Sequence, residues 1–545
     1  MINAYETDTD RYKLLPTQGD RPAYQQIILN SPNQSPSHFL ECYKFFERKI
    51  RQNNSDLTNL LRVIINHLSI VSIVLSSDDN PHLVFESLNA KGRPLTQADL
   101  IRNYFFMRIH IDQQDAVYSE YWEPMQCSLS TNLTECIRHY LMKDGTVINQ
   151  NDVYFALKEE IGSNDALDYL KDLAKFANYY WKLISPEQEQ NRKIAHALSR
   201  LNRLEVTTAY PFLLNCYHDY AENQISAEQL LEILQVIENF IIRRFICNVP
   251  TYGLNKIFPA IYSQIRIRNY ESIIHGLKDL LQSRSYPKDH EFQNQFIDIK
   301  LYGAGERLQK TKLILEAIEE SYGHKEIVSL TNLTIEHIMP QTLTEEWQEH
   351  LGEDWVITHE LRLHTIGNLT LTGYNSELSN EDFLTEKERL LESHLELNKY
   401  FENQYEWKKE NIDNRSTYLS ESALRIWPYF GSEKNPDPSG DSVIGRTPKL
   451  LRMLDIESPV KSWRDVMETT ANILISQLEP EQFEQIVQQY PRFIAPTKDG
   501  FRSHRKLVNG LYIEVNLSAR DIDSFCKRLV ESAELTFADW EVEVD

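Results

Sequence analysis

Two short stretches hold most of the side chains in this sequence that could do chemistry together. They are Thr334-Ile-Glu-His-Ile-Met-Pro-Gln341 and Leu363-His-Thr-Ile-Gly-Asn-Leu-Thr-Leu-Thr-Gly-Tyr-Asn375. The first sets a carboxylate and an imidazole side by side, Glu336 and His337. Hydrolysis of a phosphodiester needs one group to take a proton from water and another to steady charge on the departing oxygen. An imidazole titrates near neutral pH, which suits His337 to the first task. Glu336 and the carboxamide oxygen of Asn375 are hard donors, suited to hold Mg²⁺ or Mn²⁺ for the second. Asn368 is expected to fix the imidazole in one tautomer and orientation.

The elements that must position these groups are legible in the same stretches. An apolar residue before Glu336-His337 and Ile-Met-Pro after them read as a strand that ends by presenting two functional side chains. Gly367-Asn-Leu-Thr-Leu371 has the alternation of a second short strand opened by a glycine. Ser379-Asn-Glu-Asp-Phe-Leu-Thr-Glu-Lys387 begins like a capped helix with acidic residues in its first turn. The order is strand, loop, strand, helix.

Glu336-His-Ile-x-Pro, then Gly367-Asn-Leu-x-Leu, then Asn375 ahead of a lysine-bearing helix resembles the HNH nuclease motif, the ββα-metal fold. The resemblance implies that Glu336 and Asn375 bind metal, that His337 is the general base and that Asn368 orients it. Lys387 matches a helical lysine often seen in this subgroup, and it and His364 are candidates for a supporting role. Glu stands where Asp is commoner, and Asn where His is commoner. No Cys-x-x-Cys pair flanks the site, so the zinc-stapled version of the fold is excluded.

The chain has 545 residues, 41% hydrophobic and 25% charged, ordinary proportions for a soluble globular protein of about three domains. Its 17 glycines are few beside 28 tyrosines and 22 phenylalanines, as in helix-rich proteins. The expected fold is therefore mainly α with α+β modules. Six scattered cysteines without metal-ligand spacing suggest reduced thiols. Met1-Ile-Asn-Ala-Tyr-Glu lacks the pattern of a secretion signal, and no run is apolar enough to span a bilayer, so the expectation is a cytoplasmic protein. The net charge of −23 restricts any DNA-binding surface to local patches.

In chain order, Ser37 to Ile50 and Leu57 to His67 have helical spacing, and Ser69 to Leu75 reads as a strand. Leu83 to Phe106 reads as a short helix, an Asn-x-x-Gly turn and a helix opened by Thr96 with Asp99 three residues on, close to a capping box. This string resembles a recurrent signature of GmrSD-type modification-dependent restriction proteins. Phe240 to Asn248, and the helix within Leu301 to Tyr322, are similar to further segments of that family. Its usual opening strings, Gln-Arg-x-Tyr-x-Trp and Asp-Gly-Gln-Gln-Arg on a ParB-like nucleotide-binding fold, do not occur here. The resemblance implies that a partner subunit could supply that half.

The expected domains are a remnant of the N-terminal restriction-family domain (1–110), a helical domain (111–295), an HNH nuclease domain (296–430), a linker (431–446) and a small α+β C-terminal module (447–545). Aromatic residues spaced along the helical domain, including Trp122, Tyr140, Tyr154 and Tyr210, read as core. Candidate DNA contacts are Arg243 and Arg244, and in the C-terminal module Arg502, Arg505 and Lys506 within a basic locality. The leading expectation is a DNA endonuclease of restriction or anti-phage type that recognises modified or foreign DNA and acts alone or as a homo-oligomer. A partner-dependent interaction protein that keeps a nuclease fold, and an RNA nuclease, are the alternatives.

Overall fold

The computed structural model describes residues 11–12, 14–16, 20–30, 37–52, 56–69, 96–323, 330, 332–373, 381–431, 443, 446–536 and 539–545. All but the first residue of the strand expected over 69–75, the turn ahead of Thr96, Asn375 and most of the linker lie outside these residues. Two compact units divide the chain: residues 1–142 with 148–181, and 143–147 with 182–545. The division falls inside the stretch that the sequence presents as one helical domain. The fold is mainly α, with three small antiparallel sheets among the described residues.

In the first unit, His38–Gln52 and Leu57–His67 are helices, as their spacing predicts. Thr96 caps Gln97–Arg108, its hydroxyl accepting from the Asp99 N–H while the Asp99 carboxylate accepts from the Thr96 N–H. The capping box is therefore present. Trp122, Tyr140 and Tyr154 are buried, which fixes them as core.

The second unit opens with helices and reaches the site through α1 (Glu306–Ser321). It then gives β1 (Thr334–His337), α2 (Trp355–Arg362), β2 (Leu369–Thr372), α3 (Phe383–Leu391) and α4 (Lys409–Ile426). β1 and β2 pair antiparallel, with Glu336 opposite Thr370 and His337 opposite Leu369. α3 starts later than the sequence suggests, because Asp382 is the cap and accepts from the N–H groups of Leu384 and Thr385. Phe383 and Leu390 of α3 share one apolar cluster with Ile338, Met339, Trp347 and Trp407. That cluster ties the helix to the residues that follow β1.

The C-terminal module holds two three-stranded sheets. One has β4 (Ile456–Pro459) and β8 (Trp540–Val544) flanking β3 (Pro448–Met453). The other has β5 (Ile494–Ala495) and β6 (His504–Lys506) flanking β7 (Tyr512–Glu514). Two helices cover them: α5 (Trp463–Gln477), capped by Ser462, and α6 (Ala519–Ser532), capped by Ser518. Helices and sheets together give the module the α+β character expected of it. No helix among the described residues is long and apolar enough to cross a membrane.

Candidate active site

β1 alternates in burial, so Ile335 and His337 face inward while Glu336 is only half-buried. Beyond His337 the chain leaves the sheet and is held by Asn368. The Ile338 N–H donates to the Asn368 carbonyl at 3.0 Å and the Met339 N–H to Asn368 Oδ1 at 2.8 Å. Asn368 Nδ2 donates to the carbonyls of Met339 and Leu363, both at 3.0 Å, and Trp407 Nε1 donates to Oδ1 at 3.0 Å. The expected contact from Asn368 to the imidazole is thus corrected. Its bonds go to backbone and indole, and they hold the turn that follows His337. Asn368→Ala is expected to cost about 2–4 kcal/mol, because at least two fully buried groups lose partners at about 1–3 kcal/mol each. Chemical denaturation measures this loss.

Asn368 is itself held by its neighbours. A Cβ on Gly367 would lie 2.2 Å from the Ile412 carbonyl oxygen of α4, so only glycine lets the two backbones approach. Arg415 of α4, fully buried, donates to the carbonyls of Gly367 and Leu369 at 2.9 and 2.6 Å.

The imidazole of His337 is 4% exposed. Its Nε2 lies 3.0 Å from Nδ1 of His364, and the Tyr302 ring stands edge-on at 4.4 Å. Tyr302 also stacks on His364, whose carbonyl accepts from the N–H groups of Leu301 and Tyr302 at 2.9 and 3.3 Å. Burial, with His359 as a further charge nearby, lowers His337 to about 4. Burial, then His337 itself, lowers His364 to about 3. Both rings are therefore neutral at neutral pH and share one proton between the facing nitrogens. With that proton on His337 Nε2, its Nδ1 keeps a lone pair, and no described residue bonds that atom.

Two carboxyl groups complete the picture. Glu336 Oε1 accepts from the His337 N–H at 3.1 Å, and burial raises its carboxyl above the usual range. Glu386 of α3 is 4% exposed, and no described residue bonds its carboxyl. Burial first, and then the charge of Glu336, push it well above the ordinary carboxylate range. Among the described residues no three His, Cys, Asp or Glu side chains gather into a metal-holding group.

Comparison with protein families matches residues 2–106 to the GmrSD restriction endonuclease N-terminal domain and residues 286–422 to the GmrSD restriction endonucleases C-terminal domain. Both domains named for the GmrSD restriction endonucleases are thus matched within this one chain. No curated protein matches it. The C-terminal match contains every residue of the His337 constellation, and the N-terminal match ends at Phe106. The two matches support a nuclease of restriction, defence type, acting on DNA.

The remaining candidates of this chain fall in different places. His364 is at the site, against His337. Lys387 Nζ instead donates to the carbonyls of Glu402 and Gln404 at 2.7 and 2.8 Å, closing the turn after α3. The expectation of DNA contact at Arg243 and Arg244 is corrected, because both are buried. Arg243 donates to the carbonyls of Pro287 and Trp427 and pairs with Asp289, while Arg244 donates to those of Arg284 and Ser285. Arg502 pairs with Asp354 at 2.5 Å, and Arg505 lies 3.5 Å from Asp465, so part of the basic locality is neutralised. Lys506 is exposed on β6.

A cavity of about 780 Å³ lies elsewhere, near Arg192, Arg200, Lys278 and Trp427. Its cations are largely taken, Arg200 by Glu238 and Glu320, and Lys278 by Glu232. Sequence reasoning missed Tyr302 and Glu386. The spacing of Phe383, Glu386 and Leu390 was a usable signal, since it sets a carboxylate on the apolar face of a helix.

Proposed function

We propose that this chain is a Mg²⁺- or Mn²⁺-dependent DNA endonuclease of HNH type, with His337 as general base. The observation that carries this reading is the buried, neutral imidazole whose Nε2 is occupied by His364 and whose Nδ1 is left without a protein partner, next to the Glu336 carboxylate. In this reading Nδ1 takes the proton from water as it attacks phosphorus, and the proton of the His337–His364 pair sits on His337 Nε2. Tyr302 and His364 pack the ring into one orientation. Asn368 acts through the turn at Ile338 and Met339.

The donor set fits a hard divalent cation. Glu336 offers a carboxylate oxygen, and Mg²⁺ binds through one or two carboxylates with the rest of its shell from water and substrate. Asn375 is kept as a ligand in the proposal. When bound, the cation would neutralise charge on the departing 3′ oxygen. One such site makes one cut, so the unit product is a nick, and a double-strand break needs a second copy or a second visit. We extend the proposal to a preference for modified DNA, to a partner subunit that handles nucleotide, and to a cytoplasmic setting.

Supercoiled plasmid, modified and unmodified, tests the proposal. Nicked circles are expected to accumulate with Mg²⁺ or Mn²⁺, to stop with a chelator and to resume when metal is restored. Cleavage unaffected by chelation would overturn the metal-dependent reading. No cleavage of either plasmid with either metal would overturn autonomous DNA cleavage.

A further inference from the structure

We infer that Glu386, on α3, is a second carboxylate ligand that joins Glu336 in holding the divalent cation. The inference rests on the metal-dependent reading above and adds to it a residue outside the sequence motif. Three observations carry it. α3 is anchored by Phe383 and Leu390, which pack in one cluster with Ile338 and Met339, the residues directly after His337. Glu386 lies between those anchors on the same inward face, three residues after one and four before the other. That face packs against the residues that follow β1, and the charge of Glu336 acts on Glu386, opposed by that of Arg389.

The second observation is that Glu386 has no partner. Its side chain is 4% exposed, and no described residue donates a hydrogen bond to its carboxyl or forms an ion pair with it. The cations on its own helix are bonded elsewhere, and Arg389 acts on it only at longer range. Lys387 donates to the carbonyls of Glu402 and Gln404, and Arg389 pairs with Glu381 at 3.0 Å. A buried carboxyl without a partner is costly, and costlier beside a second carboxyl.

Third, the two oxygen donors come from different elements, a strand end and a helix face that pack through one apolar cluster. A divalent cation between them would relieve the repulsion of the pair and add to the counter-charge of Arg389. Two carboxylates with water and a substrate phosphate make a shell suited to Mg²⁺ or Mn²⁺.

The test is Mn²⁺ binding to the full chain without DNA, followed by electron paramagnetic resonance of the free ion. Wild type, Glu336→Gln, Glu386→Gln and Glu388→Gln are compared. Glu388 is exposed on the outer face of α3 and serves as the control. Glu386→Gln and Glu336→Gln are each expected to weaken Mn²⁺ by about 10-fold or more, given that even outer-shell changes cost roughly 10–100-fold. Glu388→Gln is expected to match wild type.

Melting curves supply the second readout. Mn²⁺ is expected to raise the melting temperature of wild type and of Glu388→Gln, and to leave Glu386→Gln unchanged. Glu386→Asp, which keeps the charge but shortens its reach, is expected to fall between them. Wild-type affinity in Glu386→Gln, with affinity lost in Glu336→Gln, overturns the inference and leaves the metal site at Glu336 standing. Absence of Mn²⁺ binding by wild type overturns both.

Discussion

Replacement of His337 by alanine is expected to slow plasmid nicking by about 10²–10⁴-fold, the range spanned by positioned general bases. The surroundings of the ring argue for a loss at the larger end. Burial keeps the imidazole neutral, with its own value lowered to about 4, so the base form is the resident form at neutral pH. Water competes poorly for that place, because Tyr302 stands against one side of the ring and His364 occupies Nε2. Removing the side chain leaves a hole lined by Tyr302 and His364 and no group at the position of Nδ1.

His364→Ala probes the same proton. It is expected to slow nicking less, by about 10–100-fold, as the loss of groups that orient a functional side chain commonly does. The order of the two variants discriminates base from scaffold. If His337→Ala keeps more than about a tenth of the wild-type rate, when a base should supply at least about 10²-fold, then His337 is not the base. Circular dichroism and melting curves on both variants separate a lost base from a lost fold.

The proposed site was legible in the sequence to the extent that its groups are local. Glu336 and His337 are adjacent, and the pairing of β1 with β2 follows from two short alternating runs. The importance of Asn368 was readable too, but its way of acting was not. Type and spacing suggest a hydrogen bond to the ring, whereas tertiary packing turns the carboxamide towards Met339, Leu363 and Trp407. Tyr302 was invisible because it reaches the site from before α1, through a segment whose two N–H groups find the His364 carbonyl. Glu386 was hidden differently, since a Glu next to a Lys in a helix reads as solvated surface. Only the burial of Phe383 and Leu390 shows which way that face turns.

The same distinction between local and distant signals runs through the fold. Thr96 was legible as a cap, and its helix starts where that side chain accepts from a backbone N–H; Ser462 and Ser518 cap their helices in the same way. β3 and β8 pair across the whole length of the C-terminal module, from Met453 opposite Trp540 to Pro448 opposite Val544. Such pairing is decided by which surfaces meet, and a short strand carries little of that information by itself. Arg243 and Arg244 failed as surface residues for a related reason. Two adjacent arginines look solvated until the carbonyls of distant turns are brought to them.

Arg362→Ala is expected to destabilise the second unit by about 3–5 kcal/mol, the cost of removing one partner from a buried ion pair. Arg362 ends α2, is 0% exposed and faces three carboxylates, with Asp413 at 2.5 Å, Asp521 at 3.2 Å and Asp298 at 3.6 Å. Burial works against its charge, but Asp298, Asp413 and Asp521 together outweigh burial and raise its value. It joins the helix before Asn368 to α4 and to α6 of the C-terminal module. Without it, Asp521 keeps only Lys409 and the Ser518 hydroxyl among the described residues, while Asp298 keeps Arg520 at 3.2 Å and Asp413 a looser contact from it at 3.9 Å.

Denaturant melts measure the loss, and a value below about 1 kcal/mol, as for surface pairs, would overturn the expectation. Asp521→Asn in the Arg362→Ala background is expected to restore part of it by removing one orphaned charge. The acid dependence has a definite sign. Burial raises the Asp521 carboxyl, but Arg362 and Lys409 outweigh burial and hold it below the usual range. A depressed carboxyl stabilises the fold above its unfolded value of about 3.9 and loses that contribution as pH falls further. Wild type is therefore expected to lose stability below about pH 4 more steeply than Arg362→Ala, in which the Asp521 value returns towards the unfolded one.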